Sequence, residues 1–205
     1  MTAKTIAHDG RARRLKAATA AAHERLDKRI MAADPFRAVE TYGRFLLVQQ
    51  AFHTDIDALF DDASLDALLP DLSGRRRLPL IAQDLIDLGF AAPAAMSAPR
   101  FPRAAPASVP DALGWLYVAE GSNLGAAFLL KEAEKLGLSD TFGARHLAGA
   151  PDGRGLHWRT FVAALDAVTL SAAEEQRAVA EAEAAFERVH SLTEQLLPLR
   201  ASESV

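Results

Sequence analysis

The stretch GWLYVAEGSNLGAAFLLK, residues 114–131, decides how this sequence is interpreted. Its apolar residues recur at helical spacing, yet Gly121 and Gly125 lie one turn apart inside it. Each glycine costs about 1 kcal/mol relative to alanine in a helix interior, so two on one face need a reason. The reason is close approach of another helix, a kink, or a flat ligand against bare backbone, and the spacing leaves all three open.

Periodic apolar residues predict helices along the rest of the chain, and no stretch has a convincing strand period. A capping box at Ser171 and Glu174 opens the last helix, whereas Gly89 and Gly137 end two others. We therefore predict an all-α, single-domain helical bundle. The predicted helices span residues 11–31, 42–60, 75–88, 108–136, 152–168 and 171–197, with a further short element starting at Asp34-Pro35.

The composition excludes several classes of protein. The chain has 205 residues, of which 50% are hydrophobic, so it can form one domain over residues 1–205 with its own core. About residues 1–10 and 199–205 are expected to be disordered. The net charge of −4 argues against nucleic acid as a partner. The absence of cysteine excludes disulfides, thiolate metal sites and a thiol nucleophile. Without an apolar run of about 18 residues or a signal-peptide core, we expect a cytoplasmic protein without a membrane partner.

Lys16 and His23 lie two turns apart on nearly the same face of the first predicted helix. His23 falls beside Leu26 and Ile30 on the apolar side, where its polar nitrogen needs a partner. It is either a core histidine bonded to a backbone carbonyl or an axial haem ligand. Lys16 stands about 10 Å away along the helix, which suits a haem propionate, although a lysine there is equally an ordinary surface residue.

Tyr117 lies one turn before Gly121 on the same face. Its hydroxyl could reach a propionate, or it is an ordinary, partly buried tyrosine. Bare backbone at Gly121 and Gly125 over a haem would leave room for dioxygen but not for a bulky side chain. Ser122 and Asn123 either belong to such a site or are polar residues of the outer face.

Five segments carry a resemblance to a known family: AHERLD (22–27), GWLYVAEGSNLGAAF (114–128), GARHL (143–147), PDGRG (151–155) and HWR (157–159). They resemble the bacterial haem oxygenases of pathogens that take iron from haem. The similarity extends over roughly residues 14–186, and it implies a haem-oxygenase-like helical bundle. In that fold haem lies between the first, proximal helix and a distal helix kinked at Gly121 and Gly125.

The resemblance also implies the roles of individual residues. Haem b is both substrate and cofactor, with His23 as the iron ligand and with Lys16 and Tyr117 as its propionate contacts. Some relatives carry phenylalanine at the tyrosine position and lysine where this chain has Glu132, and those relatives open the β or δ bridge. Since this chain has the tyrosine and lacks that lysine, it resembles the α-selective branch, which yields biliverdin IXα.

Two further sets of residues take their expected roles from the family. The distal backbone and its side chains are expected to steer oxygen and contact haem, and a group on other helices is expected to hold ordered water. In the distal set, Gly121, Ser122 and Gly125 are expected to be catalytic, and Gly121, Asn123 and Gly125 are expected to contact haem. The residues expected to hold the ordered water are Gln49, His53 and Arg77. The alternative for the second set is that His53 is an ordinary core histidine with its hydrogen bonds satisfied, and that Gln49 and Arg77 are exposed polar residues.

The implied reaction needs dioxygen and electrons, and it yields biliverdin, carbon monoxide and ferrous iron. The sequence contains no flavin or nicotinamide motif, so a separate ferredoxin-type or reductase-type donor is expected to supply the electrons. An acidic donor could dock on the basic first helix, although a solvated charged face explains the same pattern. The basic residues are Arg11, Arg13, Arg14, Lys16, Arg25, Lys28 and Arg29.

Other functional classes fit the sequence less well. A non-catalytic haem carrier or sensor would show the same histidine, but a carrier often adds a second side-chain ligand. A di-iron carboxylate bundle needs two Glu-x-x-His motifs, and only Glu187-Arg-Val-His190 is present. A thiaminase-like enzyme would need a cysteine, and Asp27 stands where a zinc protease would place its second histidine. The roles of His146, His157 and His190 stay open.

Overall fold

The computed structural model describes residues 10–91, 98–103 and 105–199. Within those ranges the chain forms helices, 3₁₀ turns and loops without a β-strand, as predicted for the all-α class. Within the same ranges no helix is both long and apolar enough to cross a bilayer. The helices are α1 (Arg11–Ala32), α2 (Val39–Ile56), α3 (Ala63–Asp66), α4 (Leu78–Asp87), α5 (Val109–Glu134), α6 (Arg154–Ala167) and α7 (Ala172–Leu196).

Helices α1 and α7 pack along each other because each buries one apolar stripe and leaves a charged face outside. On α1 the stripe contains Leu15 and Leu26. Arg11, at the start of α1, is also buried, and its guanidinium donates to the carbonyls of Leu165 and Val168 and to the carboxylate of Glu175. A buried charge of this kind is tolerated because its donors are satisfied, and it ties α1 to the end of α6.

The first half of α5 is the most deeply buried helix segment, since every residue from Pro110 to Glu120 is buried. Gly114 explains how α5 comes so close to α7. A Cβ atom at this position would lie 2.6 Å from the Ala178 carbonyl oxygen and 2.7 Å from the Ala182 nitrogen, so only glycine permits the contact.

Most predicted helix boundaries agree with the structure within a few residues. The capping box at Ser171 and Glu174 is present, and Gly89 and Gly137 have positive φ values of 71° and 80° after their helices. The predicted disordered termini, apart from Gly10 and Leu199, lie outside the described residues.

Three predicted elements need correction. The helix predicted from residue 75 begins at Leu78, because Pro79 favours the first turn of a helix and a 3₁₀ turn over residues 73–75 precedes it. Pro35 starts no helix: the chain turns there, with Asp34 at a φ of 50°, and α2 begins at Val39. The helix predicted to reach residue 60 ends at Ile56 in a 3₁₀ turn, and the short α3 that follows, capped by the Asp62 carboxylate, was not predicted.

Candidate functional site

Gly121 and Gly125 lie where α5 leaves the core. The continuous burial that covers α5 up to Glu120 is interrupted there, since Gly121 is half-buried and Gly125 is exposed, before Ala126 and Ala133 are buried again. A Cβ atom at Gly121 would meet Trp158 of α6 only at 3.9 Å, and one at Gly125 would meet no described atom within 4 Å. The bare backbone of these glycines therefore does not serve helix packing, in contrast to Gly114. Of the three explanations, a kink and the close approach of a flat ligand remain.

Two polar residues lie between the glycines. The Ser122 hydroxyl is exposed and donates to the Ala119 carbonyl at 2.7 Å, a bond within the helix. Asn123 is half-buried, and its backbone carbonyl accepts a hydrogen bond from the Arg154 guanidinium at 3.1 Å. Helix α5 continues through residues 121–125. We refer to residues 121–125 as the glycine segment.

His23 is more exposed than the sequence pattern predicted. Its side chain is 61% accessible, because the buried stripe of α1 runs through Thr19 and Leu26 and leaves His23 at the rim of that stripe. The interpretation as a satisfied core histidine is therefore wrong. The ring contacts Phe186 of α7 edge-on at 5.7 Å, and its Nδ1 atom lies 3.1 Å from Oδ2 of Asp27.

Asp27 is a site residue that sequence reasoning did not assign. A neutral imidazole that donates its Nδ1–H to this carboxylate keeps Nε2 unprotonated, which is the form that coordinates iron. The residue types therefore fit a haem iron: one free imidazole nitrogen on α1, and open backbone on α5 that a side chain would fill.

Tyr117 connects α5 to the face of α1 that carries Lys16 and His23. The tyrosine is buried, and its hydroxyl lies close to Thr19, which lies between those two residues along α1. Burial raises the pKa of Tyr117, so the phenol is a hydrogen-bond donor at neutral pH. Its ring lies 5.9 Å from that of Trp158, whereas Lys16 is exposed.

His53 and Arg77 lie in a buried polar cluster together with His146, which sequence reasoning left unassigned. Burial lowers the pKa of His53 to about 3, and the charges of His146 and Arg77 nearby contribute to that shift. His53 Nδ1, Arg77 Nε and His146 Nε2 are buried without a hydrogen-bond partner among the described residues. Buried polar atoms that lack a protein partner are typically bonded to ordered water. Gln49, one turn before His53 on α2, is half-buried.

Asp84 holds His146 in place from α4. It is fully buried and accepts bonds from the His146 Nδ1 atom at 2.8 Å and from the backbone nitrogens of Arg145 and His146 at 2.9 and 3.0 Å. These bonds hold the pKa of Asp84 below its ordinary value even though burial acts in the opposite direction. The carboxylate therefore directs His146 so that its Nε2 atom is left for a partner other than Asp84.

A buried ion pair anchors α5 immediately before the glycine segment. Glu120 is 2% exposed and accepts a bond of 2.6 Å from Nη1 of Arg75, which is 3% exposed. The same guanidinium donates to the His157 carbonyl at 3.3 Å and lies over the Phe161 ring at 5.5 Å. Helix α5 is thus joined to α6 and to the turn before α4 at the point where its burial ends.

The predicted basic surface of α1 is largely neutralised by carboxylates. Arg11 and Arg14 pair with Glu175, and Arg25 pairs with Glu187. Lys28 pairs with Glu24 on α1 itself, and Arg29 donates to the carbonyls of Thr193 and Leu197; Arg13 and Lys16 are exposed. Because Glu187 is engaged by Arg25, and His190 lies 3.8 Å from Glu194, the Glu-x-x-His motif is part of the α1–α7 surface.

The comparisons with known proteins agree on one family. The family model described as Heme oxygenase matches residues 10–195. The heme oxygenase PigA of Pseudomonas aeruginosa is 40% identical over 184 residues, which are 90% of this chain and 91% of that protein. The structure of a Neisseria meningitidis heme oxygenase with NO and CO bound matches with a TM-score of 0.86 and 40% identity, covering 95% of each chain.

Proposed function

This chain belongs to the haem oxygenase family and cleaves haem, and we propose that it does so with His23 as the iron ligand and with biliverdin IXα as the product. The observation that carries the proposal is the open backbone of Gly125, beside which no described atom lies within 4 Å of a Cβ position. Such a surface admits a flat ring and a diatomic molecule next to the helix. The Neisseria relative was solved with the diatomic ligands NO and CO, which supports this assignment.

On the proximal side, Asp27 accepts the Nδ1 proton of His23 and leaves Nε2 to bind iron. Imidazole lacks the strong electron push of a thiolate, which suits oxidation of the ring carbon rather than early cleavage of the O–O bond. The bridging carbon leaves as carbon monoxide, the metal leaves as ferrous iron, and the opened tetrapyrrole leaves as biliverdin.

The seating of the ring in its plane selects the bridge that is oxidised. We assign this seating to Lys16 as a charge partner and to Tyr117 as a hydrogen-bond donor for the propionates. The Tyr117 hydroxyl already reaches Thr19 on the face of α1 that carries Lys16, which supports a location at the edge of the ring. The variant Lys16→Ala/Tyr117→Phe is expected to give several biliverdin isomers on chromatography. A single unchanged isomer would refute this seating.

The cluster of His53, Arg77 and His146 is proposed to hold the water that delivers protons on the distal side, with Gln49 at its margin. Three buried atoms without a described protein partner, one on each of those residues, support this role. His53 remains neutral at physiological pH because its pKa lies at about 3, so it can both donate and accept in such a network.

Electrons are proposed to come from an external donor of the ferredoxin or reductase type. Since most cations of α1 are paired with carboxylates, this helix presents little unpaired positive charge to an acidic donor, and Lys16 is an exposed cation on it. Turnover should therefore depend only weakly on ionic strength. A steep fall in rate with added salt would instead point to a strongly charged docking surface.

One experiment separates the enzyme from a haem carrier or sensor. Purified protein receives one equivalent of hemin and then ascorbate or a reductase, and its absorption spectrum is followed. Loss of the Soret band with formation of biliverdin and carbon monoxide supports the proposal, whereas a persistent band indicates a carrier. The variant His23→Ala should lose the coordination spectrum and turnover, and added imidazole should restore part of both. The variant His190→Ala is the matched control.

A further inference from the structure

Three residues of the glycine segment, Gly121, Ser122 and Gly125, do little to fix its position by packing. Gly125 has no described neighbour within 4 Å of a Cβ position, and Gly121 has only Trp158 at 3.9 Å. The Ser122 hydroxyl is bonded within the helix, to the Ala119 carbonyl. A segment that steers a small molecule needs a defined position, because shifts of about 1 Å can change a rate about a hundredfold. Something outside the segment must hold it.

Arg154 reaches the glycine segment from α6. It lies in the first turn of α6, and its Nη1 atom donates to the Asn123 carbonyl at 3.1 Å. Its Nη2 atom donates to the Leu147 carbonyl in the loop that carries His146. The stem of the arginine lies alongside Gly149, where a Cβ would be 3.5 Å from the arginine Cγ. One planar guanidinium therefore bridges the glycine segment and the loop of the distal polar cluster.

The chemistry of this bridge suits a fixed geometry. A helical carbonyl has a second lone pair that can accept from a side chain without loss of the helix bond. The guanidinium fork holds two acceptors at a set distance, which a lysine ammonium cannot do. Desolvation by burial lowers the pKa of Arg154, so the surroundings have removed water from this group. A guanidinium nevertheless stays protonated at neutral pH, and its two carbonyl partners compensate part of the desolvation.

We propose that Arg154 is a positioning residue of the haem oxidation: by holding the Asn123 carbonyl, it sets the distance and tilt of the glycine segment over the haem face. This inference rests on the proposed function. It assigns Arg154 no contact with haem or oxygen. Its effect passes through the backbone of residues 121–125, while the Arg75–Glu120 pair fixes the preceding turn.

The test compares Arg154→Met with Arg154→Lys and with Arg159→Met, an exposed arginine on the same helix. In the haem-free protein, amide hydrogen exchange in a peptide covering residues 121–130 should accelerate several-fold in Arg154→Met and less in Arg154→Lys. In the hemin complex, the affinity for hemin should stay within about twofold. The kcat should fall between about tenfold and about a hundredfold, the mixture of isomers should broaden, and Arg159→Met should match the unaltered protein in every measurement.

The outcomes distinguish the two proposals. Unaltered protein that fails to open haem overturns the proposed function and, with it, any catalytic role of Arg154. Normal turnover by Arg154→Met, with unchanged isomers, overturns the role of Arg154 alone, whatever the exchange data show. Equal acceleration of exchange in all helices would also overturn it, because the residue would then support the whole fold rather than the segment.

Discussion

The Nδ1 atom of His23 lies 3.1 Å from Oδ2 of Asp27, one turn further along α1. Both side chains are 61% exposed, so the pair contributes little to folding, and its value lies in orienting the imidazole. This arrangement resembles the hydrogen-bonded carboxylates that direct histidine ligands in metal sites. It predicts that Asp27 affects the iron chemistry more than the stability of the protein.

We expect Asp27→Asn to lower hemin affinity or turnover by about tenfold, the lower end of the range for such partners. The reduction potential of the bound iron should rise, because the imidazole loses electron density when the carboxylate charge is removed. Spectroelectrochemistry of the hemin complex measures this effect. Glu24→Gln on the same exposed helix is the control, and an equal shift in both variants would contradict the assignment.

Replacement of Gly125 and of Gly114 by alanine should change the stability of the protein in opposite directions. Gly125→Ala is expected to raise the free energy of unfolding by about 0.5–1 kcal/mol, because the new Cβ meets open space and alanine favours the helix. Gly114→Ala should lower it by about 1–3 kcal/mol, since its Cβ would lie 2.6 Å from the Ala178 carbonyl oxygen. Urea denaturation of the haem-free proteins measures both changes.

Turnover should separate these two variants as well. Gly125→Ala should cleave haem more slowly despite its greater stability, because the methyl group enters the space assigned to the ring and dioxygen. Folded Gly114→Ala should retain its rate per molecule. Full activity in the more stable variant would argue that the open backbone serves no ligand.

Breaking the Arg75–Glu120 ion pair should lower the free energy of unfolding strongly, whereas replacing both residues by apolar ones should change it much less. Glu120→Gln leaves a buried guanidinium without its carboxylate and should lower the free energy of unfolding by about 3–5 kcal/mol. Arg75→Met/Glu120→Met should recover much of that loss, since apolar side chains fill the same volume. Glu187→Gln, at an exposed pair with Arg25, should change stability by less than about 1 kcal/mol. Similar losses at both sites would contradict this account.

Stability should fall as pH falls below about 6.5, and His53 should contribute to the slope. The unfolded chain binds a proton at this residue near its ordinary value of 6.5, whereas the folded protein binds one only near pH 3. Between these values the unfolded state holds more protons, so each pH unit of acidification costs about 1.4 kcal/mol. His53→Gln and His53→Leu should both flatten this dependence by the same amount in denaturation measured at several pH values. An unchanged slope in either variant would refute the buried, neutral state.

Local signals predicted most of the fold because they act within one or two helical turns. The capping box at Ser171 and Glu174 and the glycine after α4 fix helix ends through neighbouring backbone groups. Pro79 favours the first turn of a helix, which explains why α4 begins at Leu78 rather than at the predicted residue 75. The four-residue α3 is too short to show periodicity.

The candidate site was only partly predictable because its contacts join distant parts of the chain. The exposure of His23 depends on where α7 lies, and no pattern within α1 reports it. His146 belonged to the GARHL segment, yet its burial beside Asp84 arises from packing between α4 and a loop far along the chain. Arg154 likewise reaches Asn123 across the fold.

Along α5, the continuous burial stops at Glu120, and Gly121 and Gly125 meet few neighbours. Most of the stabilising contacts of α5 are therefore made before Gly121, so the exposed positions beyond it contribute little to thermostability. A library confined to the exposed positions 122, 124, 125, 127 and 128 can explore new regiochemistry while α7 keeps the scaffold intact. Laboratory evolution of this chain should accordingly accept changes at these positions far more readily than changes at the buried positions 110–120.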